Sequence, residues 1–295
     1  MGTDVEAVTV YGRAEFQDVD VGAIMRDGHP DIAEGDELIV SLVGDHARRK
    51  GRPLRIMDVG SGSGVLSELI ARRLPGHQVI ANDVEPALIA LAERRLLGYP
   101  DTEVFGRRFQ EWGSPLDVII SWGSHHHLPN TYLAQSRRLL GRDGVLIIGD
   151  EFSPEYCTPE ASARISAASV IYVADGFVLT NAAEVSAYER DHQVPAWAQA
   201  LERRRRDTLW TWYKYVIDYA TQRDCWLVAL AELQIARDDL TTGFAGEHKL
   251  SPLIVERDLE LSGFRQLSRH VIGDNPPHLQ SFVVYVYSSA AGGQR

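Results

Sequence analysis

Residues 54–59 (LRIMDV) form a short apolar run that empties into Gly60-Ser61-Gly62-Ser63-Gly64, and a helical pattern starts at Val65. No other stretch constrains the fold as strongly. A buried strand that turns through glycines into a helix is the opening of a βαβ unit. Glycines let the backbone turn sharply and approach a ligand with no Cβ in the way. The helix start supplies unpaired N–H donors. Asp83 stands 25 residues after Asp58, at the end of a second strand-like run at 78–84. An acid at that place can accept hydrogen bonds from both hydroxyls of a ribose. The glycine spacing is G-x-G-x-G with Asp58 just before it, not the G-x-G-x-x-G of dinucleotide sites. A carboxylate beside the loop suits an ammonium or sulfonium group better than a pyrophosphate.

Strand and helix keep alternating after that. A helix is expected at 65–74 and another at 86–97, the second with Pro86 in its first turn. Strands are expected near 102–109, 116–121 and 145–149, with a helix around 132–140. Short loops between such elements imply a parallel sheet covered on both faces. Residues 1–52 read as a polar, mostly helical cap. Residues 153–250 show helical patterns, notably over 196–239, and no convincing strand. They are expected to be a helical insertion. A helix at 253–261 and two strand-like runs at 264–272 and 280–287 then return to the sheet, so the expected core domain is 53–152 with 251–289.

The segment IMDVGSGSGVLSELIARRL resembles the glycine motif of the class I S-adenosylmethionine-dependent methyltransferases, in a small-molecule type with a helical lid. VIANDVEPALIALAERRL resembles the segment whose acid holds the ribose, FQEW the one bordering the adenine, LDVIISWGSHHHLPN the fourth strand, and GVLIIGDEF the fifth. The resemblance spans about 54–152 and 251–288. It implies an α/β, Rossmann-like, seven-stranded, mostly parallel sheet with one antiparallel strand. It also implies S-adenosylmethionine as cofactor. Gly60, Ser61, Gly62 and Gly64 would then line its methionine and ribose, with Asp58 near the amino group. Asp83 would hold the ribose and Val84 would pack on the adenine, bordered by Phe109 and Gln110. Ser121 and Trp122 would face the methionine part.

Chemistry is expected beyond the carboxyl ends of the strands. The run His125-His126-His127 reads as a general base or substrate contact, as two metal ligands, or as packing. The candidate catalytic groups are His126, His127, Glu151, Tyr156 and His248. In the insertion, Trp212, Tyr215 and Tyr219 share a helical face suited to wall a substrate pocket or to attract a sulfonium through cation–π contact, with Tyr172 and Glu247 as further contacts. The same residues also read as the face that docks the helix.

A net charge of −11, from 30 Lys+Arg against 41 Asp+Glu, argues against nucleic acid as acceptor. No apolar run is long enough to span a membrane, and the start MGTDVEAVTVY is acidic where a secretory leader is basic. Two cysteines without metal spacing fit a reducing, cytoplasmic setting. The leading expectation is methyl transfer to a small acceptor, as in specialised metabolism. Two alternatives stay open: cleavage or cyclisation of the cofactor itself, and metal-assisted C-methylation of a 2-oxo acid. The helical cap and insertion leave room for a homodimer.

Overall fold

The computed structural model describes Phe16 and residues 19–129, 131–241 and 248–289. They form two compact units, one holding Met25–Glu151, Ser262–Asp274 and the chain from Phe282, the other Phe152–Leu261 and Asn275–Ser281 with the described residues up to Ile24.

The first unit is a seven-stranded sheet. Its strands are β1 (Arg55–Val59), β2 (Gln78–Asn82), β3 (Thr102–Phe105), β4 (Leu116–Trp122), β5 (Leu140–Glu151), β8 (Phe264–Val271) and β9 (Phe282–Ser289). Their order is β3-β2-β1-β4-β5-β9-β8, and only β9 runs antiparallel to its neighbours. The cause lies in composition. Ile56, Met57, Val79, Ile80, Val118, Ile119, Ile120, Leu146, Ile147 and Ile148 are sealed from water. Runs of this kind need cover on both faces, which parallel strands with crossover helices provide. The edge strand β8 is instead largely exposed beyond Phe264, with Arg265 and Arg269 in water, which discourages further pairing. The helices are α2 (Ile32–Lys50), α3 (Val65–Arg73), α4 (Pro86–Leu96) and α5 (Thr131–Leu139); α1 (Val21–Gly28) precedes them. Strand order reverses between β1 and β4, so a crevice opens at their carboxyl ends.

The fifth strand is longer than expected. Leu116 pairs with Leu140, then Val118 pairs with Val145, so residues 141–144 loop out of register. The third strand ends at Phe105, and Phe109–Glu111 is a 3-10 turn.

The second unit holds α6 (Pro159–Ser166), α7 (Ala182–Asp191), α8 (Ala196–Thr221), α9 (Trp226–Leu240) and α10 (Pro252–Leu261). It also contains strands, contrary to expectation: β6 (Tyr172–Ala174) and β7 (Phe177–Leu179) pair antiparallel. Asp175 at φ 48 and Gly176 at φ 86 form the turn between them. Asp-Gly between apolar triplets is a hairpin signal, here hidden by strands only three residues long. The long helical pattern over 196–239 is two helices. The chain reverses at 222–225, where Asp224 takes φ 58 and Cys225 N–H donates to the Ala220 carbonyl.

A sealed ionic network ties α8 to α9. Arg205 donates to Glu202 (2.7 Å) and Asp239 (2.6 Å), Tyr213 Oη to Asp239 (2.9 Å), and Lys249 Nζ to Tyr213 Oη (2.9 Å). Each of these five side chains is at most 4% exposed. Two cations and two anions balance, which is what burial of such groups requires.

Candidate functional site

The end of β1 and the glycine loop are fastened to the end of β2. Gly60 and Ser61 N–H both donate to the Asn82 carbonyl, at 2.8 and 2.9 Å. Gly62 N–H donates to Asp83 Oδ2 (2.9 Å), while Val84 and Glu85 N–H donate to Asp83 Oδ1 (2.7 and 3.0 Å). Three of the roughly four acceptor positions of the carboxylate are thereby used. Asp83 is locked in place with acceptor capacity left on Oδ2. Beside it, Val84 is 61% exposed, a large apolar side chain at the crevice rim.

Gly60 has φ 71, and a Cβ there would lie 2.5 Å from the Cβ of Ser124. Glycine is required on both counts. Gly62 has φ 55 and meets nothing within 4 Å, so its face is open. Gly64 starts α3 and packs on α4, where an added methyl would lie 3.3 Å from the Cβ of Ala92.

Asp58 is buried and accepts from Ser67 Oγ (2.8 Å). Burial, with Asp36 and Asp83 adding, pushes its pKa up to about 7 against the Ser67 hydrogen bond. Asp36 is a second sealed carboxylate, held by Arg26 Nε (2.7 Å). Burial raises it to about 6, opposed by Arg26 and by a hydrogen bond from Trp122.

Trp122 occupies a slot. Methyls on Gly35 of α2 and Gly149 of β5 would lie 2.2 and 2.4 Å from its indole, and Phe282 closes one side at 5.8 Å between centroids. Its ring thus docks α2 on the sheet. Ser121 is sealed and bonds Ser124 Oγ (2.9 Å), which donates to the Val59 carbonyl (2.8 Å). Phe109 is also in the core, at 6.5 Å from Tyr132, and Gln110 donates to Thr131 (3.2 Å).

The histidine run sits where β4 ends, next to the end of β5. Asp150 accepts from His126 Nδ1 (2.9 and 3.0 Å), from His126 N–H (3.1 Å) and from Glu151 N–H (2.9 Å). Burial alone would raise Asp150; the charge and hydrogen bond of His126, with His125 and His127 adding, hold it below the usual carboxylate range. An ionised Asp150 only accepts, so the hydrogen bond assigns a proton to His126 Nδ1 and fixes the direction of the ring. His127 stacks on His126 at 4.0 Å. His125 is different: burial pushes it down to about 4, and it bonds Tyr132 Oη at 2.6 Å. Glu151 lies 4.0 Å from His29 Nε2.

The other candidates lie in the second unit. Tyr156 is sealed in an apolar cluster with Ile165, Ile171, Leu201 and Ile254. Burial raises its phenol well above the usual value. His248 lies beside Glu202 around Gly176. Tyr172 opens β6 and packs with Leu179 and Tyr188. Trp212 is fully buried and stacks toward Tyr215, which donates to Asn275 Oδ1 (2.9 Å). Trp212 thus packs as a docking residue, the second of the two readings its helical spacing offered. Tyr215 and Tyr219 do line a cavity of about 350 Å³, with Lys214, Asp218 and His278. Tyr219 already carries the Arg223 guanidinium, 3.5 Å from its ring centroid. Glu247 lies outside the described residues. Asp36 and the pairing of Asp150 with His126 were not anticipated. The signal for Asp150 was its place at the end of the fifth strand, next to the strand that carries the histidines.

Residues 57–146 match a family model described as a methyltransferase domain. Malonyl-[acyl-carrier protein] O-methyltransferase of Paenibacillus sp. (strain JDR-2) is 27% identical over 145 residues, covering 43% of this chain and 50% of that protein. The chain thus spans about half the length of this curated relative. A crystal structure of the CurJ carbon methyltransferase superposes with a TM-score of 0.51 at 13% identity, over 87% of this chain and 54% of that one. N-methyltransferase NodS from Bradyrhizobium japonicum WM9, in complex with S-adenosyl-L-homocysteine, superposes at 0.47 with 11% identity over 89% of both chains. Among the described residues no helix is long and apolar enough to cross a membrane. The strand order and the CurJ superposition show the class I methyltransferase fold, and the glycine loop lies within residues 57–146, the segment that matches a methyltransferase domain.

Proposed function

We propose that the protein transfers a methyl group from S-adenosylmethionine to a small-molecule acceptor with an ionisable O–H or N–H, and that His126 takes the acceptor's proton. The observation that carries this reading is the His126–Asp150 pair at the carboxyl ends of β4 and β5, joined to the glycine loop through Ser124. The residues present fit the cofactor. Asp83 keeps acceptor capacity for ribose, Val84 offers an apolar face, Gly62 opens on space and Asp58 supplies an acid for a cationic group. When bound, S-adenosylmethionine supplies an electrophilic methyl carbon. The protein supplies position and deprotonation. Asp150 orients the His126 ring and stabilises the imidazolium that forms when Nε2 accepts the proton. Asp58, once ionised, places negative charge below the loop, which favours a sulfonium and disfavours anions.

A role in specialised metabolism and a cytoplasmic setting belong to the same proposal; the separate thiols of Cys157 and Cys225 support the setting. The test is mass spectrometry of the protein with S-adenosylmethionine and panels of small acids, phenols and amines. The expected result is S-adenosylhomocysteine together with an acceptor heavier by one methylene, formed about 10²–10⁴-fold more slowly by His126→Ala. Methylthioadenosine formed without any acceptor would overturn methyl transfer in favour of action on the cofactor itself.

A further inference from the structure

The outer face of α9 is apolar where solvent-facing helices are charged. Trp226, Leu227, Leu230 and Leu233 are 60, 40, 46 and 48% exposed. From 226 to 236 every exposed residue is one of these four. The acidic groups of α9 point the other way: Glu232, Asp238 and Asp239 are buried, and Arg237 in the last turn is its one exposed charge. This inverts the usual amphipathic pattern, and a contiguous exposed apolar stripe marks an interaction surface.

We propose that this face joins two copies of the chain, with the α9 helices antiparallel about a two-fold axis at Leu230. Three observations select a second copy as the occupant. The first is spacing. Leu227 and Leu233 lie three residues before and three after Leu230. A reversed copy therefore sets Leu227 against Leu233 and Leu230 against itself, the self-complementarity that an isologous interface demands. The second is charge. Exposed Asp224 precedes the helix and exposed Arg237 lies in its last turn. Reversal brings each Asp224 to the end that carries Arg237 of the other copy. Arg237 already holds Asp238 at 2.8 Å, and a guanidinium has five N–H donors to share. The third is area. The four side chains, with half-exposed Trp210 on the adjoining α8, offer roughly 400 Å² of apolar surface. A standard interface buries about 800 Å² per partner, slightly more than half of it apolar. A lipid surface is disfavoured, since a net charge of −11 is repelled by anionic headgroups.

The experiment is sedimentation equilibrium of the full chain across the micromolar range. The expected wild-type mass is twice 32.8 kDa. Leu230→Glu places two carboxylates face to face on the axis and should weaken association by about 100-fold or more. The position is exposed, so the thermal melt should be unchanged. Leu227→Lys and Leu233→Glu should each be monomeric alone and should form a heterodimer when mixed. In that heterodimer the new ammonium faces the new carboxylate, and the intact leucines meet on the other side. A wild type that stays monomeric overturns the proposal, as does a dimer indifferent to Leu230→Glu. A mixture that yields no heterodimer overturns the antiparallel register.

Discussion

Asp58 titrates far from its ordinary range, and the direction has consequences. Its folded-state pKa of about 7 exceeds the 3.8 of an unfolded carboxyl. The folded chain therefore holds that proton more tightly, and the stability it lends is full below pH 3.8 and lost as pH rises to about 7. Asp36, raised to about 6, acts in the same direction. His125 and His46 act oppositely. Burial lowers both to about 4 from 6.5, so the unfolded chain binds their protons first and stability falls as pH drops from 6.5 toward 4. Asp258, raised to about 6 by burial, adds to the carboxyls, so the two effects oppose each other without cancelling. Asp58→Asn should unmask the histidines: denaturant unfolding between pH 4 and 6.5 should show a steeper rise of stability with pH than in the wild type. The same substitution should flatten the pH dependence of cofactor affinity, which in the wild type should increase through about pH 7 as Asp58 ionises. A second prediction concerns the base. His126→Ala and Asp150→Asn should each lower turnover by about 10²–10⁴-fold. Cofactor affinity, measured by calorimetry, should stay within about threefold, because neither side chain fastens the glycine loop. The glycines, Asp58, Asp83 and the histidines were legible in the sequence because each sits at a strand end that hydrophobic runs announce. Asp36 was not. Its proximity to Asp58 arises only when α2 docks on the sheet through Trp122.

At the level of elements, two joints hold the molecule's working parts. One is the close approach of the loop at Gly60 to Ser124. Gly60→Ala forces a methyl against Ser124 and strains a positive φ. Cofactor affinity should fall at least about tenfold by calorimetry, with strain of order 1–3 kcal/mol visible in unfolding. The other is the sealed network at Arg205. Removing one partner leaves opposite charge buried without compensation, which costs about 3–5 kcal/mol. Arg205→Met should therefore lower the melting temperature clearly, whereas Arg206→Met, with its guanidinium partly exposed, should change it little. The βα alternation was readable because parallel strands are apolar throughout. The β6–β7 hairpin escaped because three-residue strands carry almost no periodicity, although Asp175-Gly176 was the turn signal. The break at 222–225 escaped because both flanking segments, 209–221 and 226–240, have helical composition, and Asp224 alone marks the reversal.

For the molecule as a whole, the sheet order places the acidic, glycine-lined crevice at the strand-order reversal. The His126–Asp150 pair sits at the ends of β4 and β5. The seven-stranded sheet was expected from the family resemblance, and the runs at 264–272 and 280–287 match its closing strands, β8 and β9. The aromatic segment 208–220 was harder to read: Trp212 turned inward as core while Tyr215 and Tyr219 reached a cavity. Helical spacing places residues on a common face but does not say how deep that face is buried. The central claim is that the crevice binds an adenosyl cofactor through Asp83. Isothermal titration of S-adenosylhomocysteine into the wild type and Asp83→Ala at pH 8 tests it most directly. Saturable one-site binding to the wild type is expected. The variant should bind about tenfold or more weakly, from loss of a charge-assisted ribose hydrogen bond. No binding to the wild type, or equal binding to both proteins, would contradict the central claim.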